Sequence, residues 1–106
     1  MRPAPIKIAA DTEEYLREVI ASTFHHQEAA IVWSPRDVDG GKKPAVIFGW
    51  YRKGERPEDS FFELFGYPVS IMPTTLEHIE GKTITRVRYD TGFVEGPKNV
   101  YVLDVG

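Results

Sequence analysis

One stretch of helical spacing, residues 11–27, is followed mostly by short β-rich runs as far as the C-terminus. Asp11 stands where a helix is capped, and Glu14 three residues later completes a capping-box pattern. Glu13 and Glu14 also place negative charge where the helix dipole is positive. Tyr15, Leu16, Val19, Ile20, Thr23 and Phe24 keep the three-to-four spacing of a buried face, while Glu13, Glu14, Arg17, Glu18 and Ser22 fall mostly on the other. The spacing predicts one amphipathic helix from Asp11 to about Gln27. A helix of this kind needs an apolar surface to lie on, and only strands remain to supply it.

The lead-in Ile6-Lys7-Ile8 is extended, because Pro3 and Pro5 fix φ and push their predecessors away from the α region. Strands are predicted over 29–34, 45–52, 60–64, 67–72, 82–89, 93–95 and 99–105. The Gly- and Pro-rich segment 35–44 reads as a loop, as does 53–59. Phe65-Gly66 joins a hairpin, turns fall at 90–92 and 96–98, and Pro73 opens a short helical turn through Ile79 that Gly81 stops. No internal repeat is visible in the residue order. The expected class is α+β: a curved mixed sheet or flattened barrel of about seven short strands, one N-terminal amphipathic helix, and a helical turn near 73–79.

Hydrophobic residues make up 42% and charged residues 27% of the 106, a balance that folds as one domain spanning residues 1–106. A net charge of −3 argues against general nucleic-acid or anionic-membrane binding. No apolar run is long enough for a signal peptide or a membrane span, so the cytoplasm is the default location. With no cysteine, the chain has no disulfide framework, no thiol redox site and no thiolate ligand for a metal.

Several local motifs resemble the HesB/IscA-like family of A-type iron–sulfur carriers. Residues 57–63 followed by Gly66-Tyr67-Pro68-Val69-Ser70-Ile71 are similar to that family's acidic turn, strand and "G-hydrophobic-V" step. Leu76-Glu77-His78-Ile79-Glu80-Gly81-Lys82-Thr83-Ile84 is similar to its "L-x-x-L-x-G-T-x-hydrophobic" step, and Gly92-Phe93-Val94 with Pro97-Lys98-Asn99 to its "G-F-x-F-x-N-P-N" step. The likeness covers roughly residues 6–100 and implies a HesB-like fold that self-associates as a homodimer. The family's cluster ligands, a Cys in the Gly-rich loop and a C-terminal Cys-x-Cys pair, have no counterpart in 34–44 or 100–106. Thiolates hold iron–sulfur clusters, so the resemblance carries over no ligand residue and no cofactor.

Other chemistry is weakly signalled. His25 and His26 are adjacent, so on a helix their rings point about 100° apart and share an ion poorly. His78 with Glu77 and Glu80 sits on a single helical turn. Asp37 and Asp39 before Gly40-Gly41 lack both the further acids of a calcium loop and the Gly-Lys-Ser/Thr ending of a phosphate loop. Glu63, Glu95 and Asp104 are acids that no pattern pairs, and no nucleophile motif occurs, so the reading is non-enzymatic. Arg86 and Arg88 alternate with Thr85, Val87 and Tyr89, which sets two arginines on one strand face opposite an apolar row. Arg52, Lys53 and Arg56 are candidates to extend that patch. The strand at 45–52 reads as buried on both faces, with Phe48 and Trp50 in the core. Trp33, Tyr51, Arg52, Arg86, Arg88 and Tyr101 are the candidate interaction surface. The function so implied is binding to a protein partner or to a second copy, through a strand edge or the aromatic sheet face. A metal-binding accessory role for the histidines and acids, or a small-molecule sensor, are the alternatives.

Overall fold

The computed structural model describes residues 1–38, 41–90 and 99–106. In chain order the elements are β1 (Lys7–Ile8), α1 (Ala10–Ala21), β2 (Gln27–Trp33), β3 (Arg36–Val38), β4 (Gly41–Lys43), β5 (Ala45–Arg52), β6 (Phe61–Leu64), β7 (Tyr67–Ile71), α2 (Pro73–Ile79), β8 (Thr83–Asp90) and β9 (Asn99–Val105). Seven strands form one curled mixed sheet in the order β1-β8-β9-β5-β2-β7-β6, and β3 with β4 make a separate hairpin. The α+β class and the curved mixed sheet therefore hold.

The N-terminal segment ties the two edges of this sheet together. Ala4 N donates to Glu63 O (2.9 Å) and Glu63 N to Arg2 O (2.7 Å) on the β6 edge. A few residues later Lys7 N donates to Lys82 O (2.8 Å) and Ala9 N to Ile84 O (3.0 Å) on the β8 edge. Edges left with unpaired amides invite aggregation, and here one short extended stretch covers both.

The same local construction is used twice. In β1–α1, Ile8 pairs in parallel with Ile84, one extended residue (Ala9) leads into the helix, and the Thr12 hydroxyl accepts the backbone N–H of Arg86 at 2.9 Å. In β7–α2, Ile71 pairs in parallel with Ile31, one extended residue (Met72) leads into the helix, and the Thr75 hydroxyl accepts the backbone N–H of Trp33 at 3.1 Å. Each threonine is buried and is followed four residues later by a fully buried aliphatic, Leu16 or Ile79. The ring three residues after each threonine lies against the strand residue whose N–H is bound: Tyr15 on Arg86, His78 on Trp33. The pairing continues the equivalence, with β2 antiparallel to β5 (Trp33↔Val46) and β8 antiparallel to β9 (Arg86↔Leu103). Val46 and Leu103, the matching residues, face each other across β5 and β9. Strand–helix–strand–strand thus occurs twice, each first strand seated on the other unit, about a pseudo-twofold axis between β5 and β9. The expectation of no internal repeat is corrected: the Ile-x-x-x-Thr-x-x-x-Leu/Ile pattern at 8–16 and 71–79 is too short to stand out in residue order.

The core lies on the helix-facing side of the sheet, where Leu16, Ile20, Ile31, Val46, Phe62, Leu64, Val69, Ile71, Ile79, Ile84 and Val105 are buried together. A side chain of this size, fully buried, contributes about 1.5–3 kcal/mol. β5 and β9 and the short helix run from the residues predicted. Several expectations are corrected. The helix cap is Ala9 with no side-chain bond, and Asp11 instead accepts from Thr12 Oγ1 (3.2 Å). Pairing of the N-terminal segment with β8 fixes where the helix starts. The helix ends at Ala21, not near Gln27, because Gln27 already pairs with Arg52, and Phe24 is exposed. Segment 35–44 holds the β3–β4 hairpin rather than a plain loop. The predicted strand at 93–95 and the turn at 96–98 lie outside the described residues, as does most of the 90–92 turn. At the Phe65-Gly66 turn both residues have positive φ (55° and 82°), and the Phe65 ring is covered by Arg17 at 4.3 Å, which holds a non-glycine residue in an unfavourable conformation.

Thr12→Val and Thr75→Val keep side-chain volume but leave a strand N–H without its acceptor. Each is expected to lower unfolding free energy by about 1–3 kcal/mol in urea titration, with Thr→Ser at the same sites costing less. A neutral valine variant at either site contradicts the latch.

Candidate interaction surface

The register of β5 decides which of its backbone groups are free. Ser34 N donates to Ala45 O (2.9 Å) and Lys53 N to His26 O (3.1 Å), so the odd-numbered residues of β5 turn their amides and carbonyls towards β2. The even-numbered ones face β9. Val105 N donates to Pro44 O (2.9 Å), and Val46 pairs with Leu103. Beyond that point the two strands part. The pseudo-twofold axis relates the Pro44–Val105 contact to one between Phe48 and Tyr101, yet no such pairing exists. Phe48 and Trp50 have no ladder partner on this side among the described residues. Past Trp50 the edge is closed again, because Arg52 N donates to Glu55 Oε2 (3.0 Å) and Glu55 N to Arg52 O (3.0 Å).

The core-facing side of this fork carries aromatic and cationic groups. Trp50 is 42% exposed and its indole N–H donates to Thr23 Oγ1 (3.0 Å), while Phe48 packs only partly against the core. The expectation that β5 is buried on both faces is therefore corrected. Only its Ala45-Val46 end is buried, because there β9 still covers it. Across the opening, Tyr101 is 55% exposed and lies over Arg86, with the guanidinium carbon 3.9 Å from its ring centroid. Tyr15 of α1 lies over the same guanidinium at 4.0 Å. Arg88, opposite Tyr101 in the register, is exposed. As expected, an apolar row lies on the face opposite the two arginines, where Tyr89 packs on buried Val102 and Ala45; on the arginines' own face Ile84 is fully buried as well.

The candidate residues do not form one patch. Arg86, Arg88 and Tyr101 come together beside the opening. Tyr51 points to the other face of β5, where Arg56 stacks on it at 3.8 Å and its ring covers Gly49. Arg52 ends β5. Trp33 belongs to the core margin, stacked on His78 at 4.3 Å. Lys53 and Arg56 line a separate open groove of about 1450 Å³ at the C-terminal end of α1, with Phe24, Tyr67, Glu28 and Glu58, and do not extend the Arg86 patch. In that groove Glu28 accepts from Gly54 N (3.3 Å), and its second carboxylate oxygen is buried without a partner.

The histidines and acids separate as well. His25 and His26 meet edge to face at 5.3 Å, and His78 Nε2 lies 3.5 Å from Glu77 Oε1. Among the described residues no group of three or more His, Asp or Glu is placed to hold a metal ion. Glu63 accepts from Gly66 N (3.0 Å) in the hairpin turn, and Asp104 accepts from the Tyr89 hydroxyl. Tyr15 and the backbone of Phe48 and Trp50 were missed from sequence. The only signal for the former was its offset of three residues from Thr12, and no side-chain pattern reports the latter. No helix among the described residues is long and apolar enough to cross a membrane. No family model, no curated protein and no solved structure matches the chain.

Gly49 is small because a Cβ there would meet Tyr51 Cε2 at 3.0 Å. Gly49→Ala is expected to destabilise by about 1 kcal/mol by displacing that ring. In a Tyr51→Ala background the same substitution becomes stabilising by roughly 0.5–1 kcal/mol, since alanine is the better strand residue. Thermal or urea unfolding of the four proteins in this cycle reads the change of sign.

Proposed function

We propose that this chain is a non-catalytic protein-binding domain that takes an extended segment of a partner as an added strand along β5, in the opening between β5 and β9. The observation that carries the reading is that, among the described residues, the backbone of Phe48 and Trp50 has no partner on the β9 side, at the point where the internal symmetry calls for a ladder. An extended peptide adding to such an edge gains main-chain hydrogen bonds, and the flanking side chains select its sequence. Trp50 and Tyr101 supply the aromatic area in which binding energy concentrates. A single strand is favoured over the sheet of a second copy, because β9 stands as a second wall that a whole sheet edge has to pass. On this reading the HesB/IscA-like likeness concerns the scaffold alone, and binding takes the place of the carrier chemistry for which the thiolates are missing.

The test is a selection of short random peptides against the purified chain, followed by mapping of the winners by amide shift perturbation. The expected winners perturb Phe48, Trp50 and Tyr101. They lose at least about tenfold in affinity to Trp50→Pro, which removes an outward N–H without touching a bond to β2. Winners that map instead to the groove around Phe24 and Glu28, or that ignore Trp50→Pro, contradict the reading.

A further inference from the structure

Arg86 carries a charge that no acid in the described residues answers. Its guanidinium lies between Tyr15 and Tyr101, its Nε is buried with no hydrogen-bond partner, and it makes no ion pair. An orphaned donor of this kind is costly and calls for a reason. Packing does not supply one. The equivalent strand position in the other half of the molecule is Trp33, stacked on His78, so the scaffold closes there with an uncharged side chain. Arg17 and Lys53, by comparison, are exposed and bonded: Arg17 to Glu13 (2.7 Å) and Lys53 to His25 O (3.4 Å).

The geometry also indicates what kind of group is missing. Tyr15 and Tyr101 pack against the guanidinium at 4.0 and 3.9 Å without accepting a hydrogen bond from Nε, so its N–H groups remain for a ligand to bond. A planar carboxylate bonds in the guanidinium plane through two parallel N–H···O contacts and brings one negative charge to one fixed cation. Tyr101 is the more exposed of the two rings and stands on a strand that β5 has already released on that side, so it is the ring free to adjust to a ligand.

From this we infer that Arg86 is a carboxylate-binding site, held ready by Tyr15 and Tyr101. Its ligand is an acidic side chain or chain terminus of the segment docked along β5, a source that rests on the reading above. Arg88, exposed on the same face, adds attraction at the rim.

The experiment follows the Nε–Hε signal of Arg86 in the ¹⁵N-labelled full chain, identified by its loss in Arg86→Gln. Sodium acetate replaces sodium chloride at constant ionic strength. A saturable shift of that signal, accompanied by the Tyr101 ring protons and weakened in Tyr101→Leu, is the expected result. No response beyond that to chloride, in a chain whose amide spectrum stays dispersed, overturns the site. Two extended peptides of alternating Val and Thr, identical but for a central Glu or Gln, form the second arm. The Glu peptide is expected to bind about tenfold tighter to the native chain, and equally to Gln in Arg86→Gln. A positive acetate arm with neither peptide binding leaves the carboxylate site standing and brings down the strand-docking reading instead. Two peptides that bind the native chain equally overturn the assignment of the carboxylate to the docked segment.

Discussion

A strand amide that faces a helix has no ladder to join, and in this molecule that problem is solved twice by a buried threonine. Each parallel pair, β1 with β8 and β7 with β2, is cut short because its first strand turns into a helix. The next N–H of the continuing strand then finds the hydroxyl of the third helical residue. The hydroxyl fixes where the helix begins and how far along its neighbour it lies. Leu16 and Ile79, four residues on, are thereby aimed into the core. The two halves interleave, so neither is complete without the other, and the symmetric meeting of Val46 and Leu103 follows from that.

Against this regularity, the departure between β5 and β9 stands out, and the proposed function rests on it. One arm of the symmetric contact, Pro44 with Val105, is made, and its mirror, Phe48 with Tyr101, is not. Beside the unmade arm stands a second asymmetry, an arginine, Arg86, where the other half has a tryptophan, Trp33. These two breaks in the internal symmetry lie side by side, and among the described residues both leave hydrogen-bonding groups without a partner, which is the ground for the binding reading proposed above. The large groove by Phe24 lacks this coincidence, since its cations and carboxylates are mixed and its Glu28 is already bonded on one side.

Much of the scaffold was legible in residue order because it rests on local signals. Pro73 and Gly81 bound α2, Phe65-Gly66 makes the tight hairpin, and the alternation at 45–52 and 99–105 gave β5 and β9. What failed were features set by distant partners. Asp11 has every local mark of a cap, but pairing of residues 7–9 with β8 starts the helix earlier. Phe24 continues the apolar stripe, but Gln27 is claimed by β5 and the helix stops short. Trp50 reads as core by alternation, yet the strand that covers Val46 has departed before it reaches Trp50. The site was legible only in part, since Arg86, Arg88 and Tyr101 stood out as side chains while the open edge is a property of backbone register.

Among the described residues β5 is paired on one side only between Phe48 and Trp50, and amide hydrogen exchange of the free chain reads this residue by residue. The account predicts an alternation: Ile47, Gly49 and Tyr51, bonded to β2, exchange slowly, while Phe48 and Trp50 exchange faster by orders of magnitude under the same conditions. Uniform protection across all five would mean that the edge is already occupied, and the open-strand account would be wrong.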